Sequence, residues 1–139
     1  MRFFFDNCIS SNLAAAMKLL VRPHHHVEHL IERYPDNPDI EDEDWIPPVA
    51  AVGDLILVSG DPAITSSEKE KAIWRSSRLT AFFMGGKFAR MDKWPQVVEM
   101  VNWWPEIIRT AQTAPRGSGY HLPLKGWKKG AKLIYTPLK

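Results

Sequence analysis

The chain has 139 residues, of which 45% are hydrophobic and 24% are charged, and its formal net charge is +2. These values indicate one globular domain that can bury a core, and the small charge does not by itself indicate a nucleic-acid partner. The single cysteine, Cys8, excludes an intramolecular disulfide and a CxxC zinc site. Because no stretch approaches the ~20 apolar residues of a membrane span and the N-terminus lacks the pattern of a signal peptide, we expect a cytoplasmic protein without a membrane segment.

The first predicted strand is the aromatic run at positions 3–5, which is rich in strand-forming residues and ends at Asp6 and Asn7. Ser10 or Ser11 can cap the helix that follows, in which apolar residues recur every three or four positions before Pro23. A second strand is predicted within residues 24–31, and its best segment is His26–His29. Asp6 therefore stands at the carboxyl end of a strand.

An acidic segment follows the second strand. Residues 34–40 contain two prolines and are predicted to form a loop, and residues 43–52 are predicted to form a short helix with acids in its first turn. Most of these acids fit a solvated helix entry. We expect Asp42 and Asp44 to be the ones that face a site.

The apolar run 55–58 is predicted to be a strand buried on both faces, as in a parallel sheet. It is followed by Ser59, Gly60 and Asp61, and ligands of open α/β sheets bind beyond the carboxyl ends of the strands. If this strand lies beside the first, about 4.8 Å away, Asp6 and Asp61 are close. At ~4 Å two carboxylates repel by roughly 4 kcal/mol at an effective dielectric constant near 20, so a bound cation or a raised pKa must offset the repulsion.

The rest of the chain predicts a charged helix over residues 66–75, a strand over 79–84 closed by two glycines, and a long helix over 91–114. Tryptophans at positions 94, 103 and 104 follow the apolar stripe of that helix and are predicted to lie in the core. From Pro115 onward there are six Lys or Arg residues and no acid, so residues 115–139 are predicted to be a basic appendage. Lys128 and Lys129, beside Trp127, can bind phosphates, and a solvated tail is the alternative.

The alternation of strands and helices predicts a three-layer α/β domain with a mainly parallel central sheet flanked by helices. At this point residues 1–114 resemble the PIN-like domain family, and within it the VapC-type toxins. The resemblance rests on the segments at positions 3–7, 42–46 and 57–61 with their order and spacing.

The resemblance implies a Mg²⁺- or Mn²⁺-dependent endoribonuclease, whose acids hold the metal and which a protein antitoxin neutralises; homodimers are usual in such proteins. The family's acids match Asp6, Asp42 or Asp44, and Asp61. Many members carry a further acid where this chain has Ala63 and Ile64. The candidate catalytic residues are thus Asp6, Asp42, Asp44 and Asp61, with Asp6, Asp61 and Asp42 as metal ligands. Candidate contacts to RNA are Asn7, Ser59, Thr65, Lys128 and Lys129.

Two other functions compete with this interpretation. The lack of this further acid at Ala63 and Ile64 favours a PIN-like domain that is catalytically inactive and acts as an RNA-binding or protein-interaction module. A phosphatase with Asp6 as nucleophile ranks last, because such enzymes tend to carry Asp-x-Asp after the first strand and this chain has Asp6-Asn7-Cys8.

Overall fold

We describe the protein from a computed structural model, in which residues 1–60, 67–123 and 126–136 are described. Within these ranges the strands, numbered β1 to β6 along the chain, are Arg2–Phe5, His26–His29, Leu55–Ser59, Thr80–Phe83, Gly119–His121 and Ile134–Thr136. The helices, numbered α1 to α6, are Ser11–Leu20, Leu30–Arg33, Asp42–Val52, Glu68–Ser77, Gly85–Ala89 and Lys93–Thr113. None of the helices in these ranges is long and apolar enough to cross a membrane.

The strands form one sheet in the order β2-β1-β3-β4-β5-β6. All neighbours run parallel except β5 and β6, which are antiparallel. The predicted α/β fold with a mainly parallel sheet is therefore confirmed. Because β1 to β5 run in the same direction, they all end at one side of the sheet, which we call the carboxyl edge; the opposite side is the amino edge. The strands β1 and β3 are direct neighbours.

The core has two parts, one on each face of the sheet. Phe3 and Phe5 point to the face covered by α1 and α6, whereas Phe4 points to the face covered by α3 and α4. The strand β3 is buried over its whole length, which confirms the sequence prediction. The sheet therefore lies between two helical layers.

Three details differ from the sequence predictions. Trp103 and Trp104 are buried as expected, but Trp94 is 72% exposed, because the apolar residues of α6 that pack against the core begin at the half-buried Val97. The two glycines after β4 do not simply end a strand; they begin α5. The one-turn helix α2 was not predicted, since its stability depends on a capping box formed by His29 and Glu32.

Residues after 115 add strands to the sheet. The strand β5 pairs with β4, and β6 returns along β5, where His121 Nδ1 and the Thr136 hydroxyl are hydrogen-bonding partners at 2.5 Å. Tyr120 also stacks on Phe82, at 5.5 Å between ring centroids. The predicted boundary after residue 114 stays a prediction, but the described part of this segment is built onto the sheet.

Candidate active site at the carboxyl edge

The candidate site is centred on Asp6, which follows directly after β1. The backbone N–H of Asp6 donates to the carbonyl of Val58 at 3.2 Å, so the β1–β3 pairing continues to this residue. The carbonyl of Asp6 then accepts from the N–H of Ile9 at 3.1 Å, which turns the chain toward α1. Ser10 caps α1 as predicted, through its side chain and the N–H of Asn12. Asp6 is thus held between a buried strand and a capped helix.

Three donors surround the Asp6 carboxylate, which is only 5% exposed. Its Oδ1 accepts from the backbone N–H groups of Cys8 at 3.1 Å and Gly60 at 3.2 Å. Its Oδ2 accepts from the hydroxyl of Ser59. The carboxylate is therefore fixed in position from both β1 and β3.

Burial nevertheless raises the pKa of Asp6 from 3.8 to about 7. The Ser59 hydroxyl and the N–H groups of Gly60 and Cys8 lower this pKa, but the cost of removing the charge from water is larger, and the Asp42 carboxylate raises the pKa further. The carboxyl group consequently changes its charge near neutral pH. Such perturbed groups are concentrated at functional sites.

A cavity of about 220 Å³ opens above Asp6. Two further acids line it, Asp42 from the first turn of α3 and Asp39 from the preceding loop. Asp42 is fixed by the indole of Trp45, whose Nε1–H donates to the Asp42 Oδ1 at 2.9 Å. The cavity is thus an acidic depression at the carboxyl edge, with the half-buried Asp42 opposite Asp6.

Two of the polar residues predicted to contact RNA lie at this cavity or beside it. Asn7 lines the cavity, and its side-chain amide donates to the carbonyl of Pro38, which ties the acidic loop to the end of β1. Ser59 is fully buried, where it contacts the Asp6 carboxylate. The geometry places Ser59 as a support for Asp6 beneath the cavity surface.

The other predicted site residues that the structure describes lie away from the cavity. Asp44 is exposed on α3 and does not line the cavity. Lys128 and Lys129 are exposed in the connection between β5 and β6, which lies at the same carboxyl edge but several strands away. Asp61 and Thr65 lie outside the described residues.

Three contributors were missed from the sequence. Asp39 belongs to the acidic segment 36–44, of which only Asp42 and Asp44 were predicted to face a site. Gly60 is required because a β-carbon there would lie 2.6 Å from the carbonyl oxygen of Cys8. His29 is buried at the end of β2, where its Nδ1 accepts from the N–H of Ile31 at 3.1 Å and its Nε2 lies 2.7 Å from the carbonyl oxygen of Ile9. With Nδ1 as an acceptor, Nε2 carries the proton and donates to the turn that holds Asp6.

The donor set is suited to a hard divalent cation. Asp6 and Asp42 are oxygen ligands of the kind that Mg²⁺ and Mn²⁺ prefer, and since burial raises the pKa of Asp6, a nearby cation would favour its ionised form. Among the described residues, however, no three His, Cys, Asp or Glu side chains are grouped closely enough to hold a metal ion. A complete metal shell would therefore need a ligand beyond these groups.

Comparison with known proteins identifies one family. A family model described as "PIN like domain" matches residues 1–86, which contain β1 to β4 and the whole described cavity. No curated protein and no solved structure matches the chain. The matched segment covers more than half of the 139 residues.

Proposed function

The chain belongs to the PIN-like domain family, and on that premise we propose that it is a Mg²⁺- or Mn²⁺-dependent endoribonuclease. The observation that carries the proposal is the buried Asp6 carboxylate, whose pKa is raised to about 7 at the floor of an acidic cavity. A strand-terminal acid that is costly to ionise and faces a second acid has a physical reason to bind a cation.

In this proposal Asp6 and Asp42 hold the cation, and Asp61 supplies the further ligand. Such a cation would neutralise charge on phosphate oxygens and lower the pKa of a bound water. Ser59 and the backbone N–H groups of Cys8 and Gly60 keep the Asp6 carboxylate in one orientation, so that little reorganisation is needed when a ligand arrives. Asn7 and Thr65 are proposed to contact the RNA near the cleaved bond.

Cleavage of single-stranded RNA by the purified protein tests this function. We expect cleavage with Mn²⁺ or Mg²⁺ that is removed by EDTA and abolished in Asp6→Asn and Asp61→Asn. Asp44→Asn is the matched control, since it removes an exposed acid outside the cavity. Metal-independent cleavage, or full activity in Asp6→Asn, would contradict the proposal.

A second candidate is a PIN-like module that binds RNA or protein without cleaving. The absence of a further acid at Ala63 and Ile64 favours it. RNA binding without turnover at millimolar Mn²⁺, unchanged in Asp6→Asn, would identify this function.

The resemblance to VapC-type toxins extends the proposal to a toxin that a protein antitoxin inhibits, with a homodimer as its assembly. Growth arrest on expression, relieved by the product of a neighbouring small reading frame and absent in Asp6→Asn, tests the toxin role. Light scattering of the purified chain tests the dimer. Growth that is unaffected by the active enzyme would remove the toxin role and leave the nuclease proposal intact.

A further inference from the structure

The connection between β5 and β6, of which residues 122–123 and 126–133 are described, lies at the carboxyl edge. This follows from the sheet, because β5 runs parallel to β4 and ends at that edge, and β6 starts there in the opposite direction. Asp6 follows β1, and β1 and β5 are separated by three strand spacings in the order β1-β3-β4-β5. At about 4.8 Å a spacing, the end of β5 lies about 14 Å from the end of β1.

The exposed side chains of this connection combine positive charge with one aromatic ring. Lys128, Lys129 and Lys132 are exposed, and the structure gives them no ion pair within residues 1–60, 67–123 and 126–136. Trp127 is 41% exposed beside them. Basic groups interleaved with aromatic rings are typical of surfaces that bind single-stranded nucleic acid, because lysines neutralise phosphates and every base can stack on a ring.

Glu99 of α6 is hydrogen-bonded to the connection and helps to hold it in place. Its Oε1 accepts two hydrogen bonds, from the indole of the buried Trp103 at 2.9 Å and from the backbone N–H of Trp127 at 3.0 Å. Gly126 has a positive φ of 73°, and a β-carbon added there would lie 3.3 Å from the same Glu99 oxygen. A further turn is closed by the Ala131 N–H, which donates to the Lys128 carbonyl at 2.8 Å.

We infer that the β5–β6 connection, positioned by Glu99, binds single-stranded RNA on one side of the bond that is cleaved at the Asp6 cavity. The inference rests on the proposed function for the identity of the ligand. The separation of about 14 Å corresponds to roughly four nucleotides at a stacked spacing of ~3.4 Å. RNA bound at the cavity must therefore extend more than about four nucleotides to reach the connection as well.

The test is to measure RNA binding in EDTA, where the RNA is not cleaved. We compare Lys128→Gln/Lys129→Gln with Arg2→Gln/Arg116→Gln, which removes the same charge from exposed positions at the amino edge. For a twelve-nucleotide RNA, the first variant should bind at least roughly tenfold more weakly, and the slope of log affinity against log salt should fall by about 1.4. The amino-edge variant should bind the twelve-nucleotide RNA like the wild type.

Variants of Glu99 test whether this residue positions the connection, because the two explanations predict opposite changes in RNA affinity. Simple charge repulsion predicts that removing an acid strengthens RNA binding, whereas loss of the anchor predicts weaker binding. We expect Glu99→Ala to weaken binding of the twelve-nucleotide RNA roughly fivefold or more. Glu99→Gln keeps the accepting oxygen and should bind at least as well as the wild type. Since Glu99→Ala also affects Trp103, Gly126→Ala provides an independent displacement of the connection and should weaken binding too.

The outcomes separate this inference from the nuclease proposal. If the lysine variant and Gly126→Ala bind the long RNA like the wild type, or if Glu99→Ala binds more tightly, the inference is overturned even when Asp6 is required for cleavage. If binding depends on the connection but no metal produces cleavage, the nuclease proposal fails and the binding surface stands.

Discussion

The hydroxyl of Ser59 donates a hydrogen bond to the Asp6 carboxylate, joining two side chains that are 53 positions apart in the chain. The residues before them, Phe5 and Val58, are direct partners in the parallel β1–β3 pair. The contact therefore depends on the register of two buried strands. A shift of either strand by one residue would turn its side chain to the other face of the sheet and break the contact.

Replacing Ser59 with alanine should raise the pKa of Asp6 further above 7, because the hydroxyl lowers that pKa by favouring the ionised form. A hydrogen bond to a charged group is worth about 1.5 kcal/mol or more, which corresponds to about one pH unit. The acidic limb of the pH–cleavage profile should move upward by that amount. Ser77→Ala, which removes a hydroxyl bonded to the Trp74 carbonyl, should leave the profile in place; equal shifts in both variants would contradict the role of Ser59.

Asp6→Asn should make folding stability less sensitive to pH in the absence of metal. Below the ordinary pKa of 3.8 the group is protonated in the folded and unfolded chains alike. Between about pH 4 and pH 7 Asp6 is ionised in the unfolded chain but still protonated in the folded one. The free energy of unfolding therefore falls as the pH rises through this range. The asparagine variant avoids this loss, by up to roughly 4 kcal/mol at pH 8.

Urea unfolding at pH 5 and pH 8 in EDTA measures this difference. The substituted asparagine side chain retains an oxygen that can accept from the Cys8 and Gly60 N–H groups, so the variant should fold normally. Added Mn²⁺ should stabilise the wild type at pH 8 and not the variant. A stability gap that is the same at both pH values would show that Asp6 is not the titrating group.

Gly60→Ala should disrupt the site, because its β-carbon would lie 2.6 Å from the Cys8 carbonyl oxygen and 2.9 Å from the carbonyl carbon. Backbone must move to relieve this contact, at a cost of about 1–3 kcal/mol, and the Gly60 N–H moves with it away from Asp6. We expect a large loss of cleavage and a lower melting temperature.

Cys8→Ser is the companion control for that change. It alters the side chain at the same contact but keeps the backbone N–H that donates to Asp6. The metal mechanism predicts that cleavage survives this substitution. Loss of cleavage in a folded Cys8→Ser protein would instead assign a chemical role to the thiol.

Asp42→Asn should reduce cleavage by at least roughly tenfold, the change expected if a ligand to the cation is lost. It should also lower the pKa of Asp6, since the Asp42 carboxylate raises it. An asparagine oxygen can still accept from the Trp45 indole, so the start of α3 should stay intact. Asp44→Asn removes a neighbouring acid without reaching the cavity; equal effects in both variants would refute the assignment.

The parts of the fold that the sequence predicted are those encoded locally. The apolar run of β3 and the aromatic run of β1 define buried strands, and each ends where Asp6 and Ser59 meet. Other features depend on tertiary contacts that no local pattern carries. The burial limits of α6 and the presence of Asp39 rather than Asp44 at the cavity follow from how distant segments pack.

The hairpin of β5 and β6 also covers an edge of the sheet that could otherwise pair with other copies of the chain. All four residues of β4 are buried, and β5 covers the side of β4 that faces away from β3. A protein shortened at residue 114 would keep the matched family segment but expose the N–H and C=O groups of β4 as an open edge. Exposed apolar edges of this kind pair with other chains, so such a truncated protein would aggregate although its cavity acids are all present.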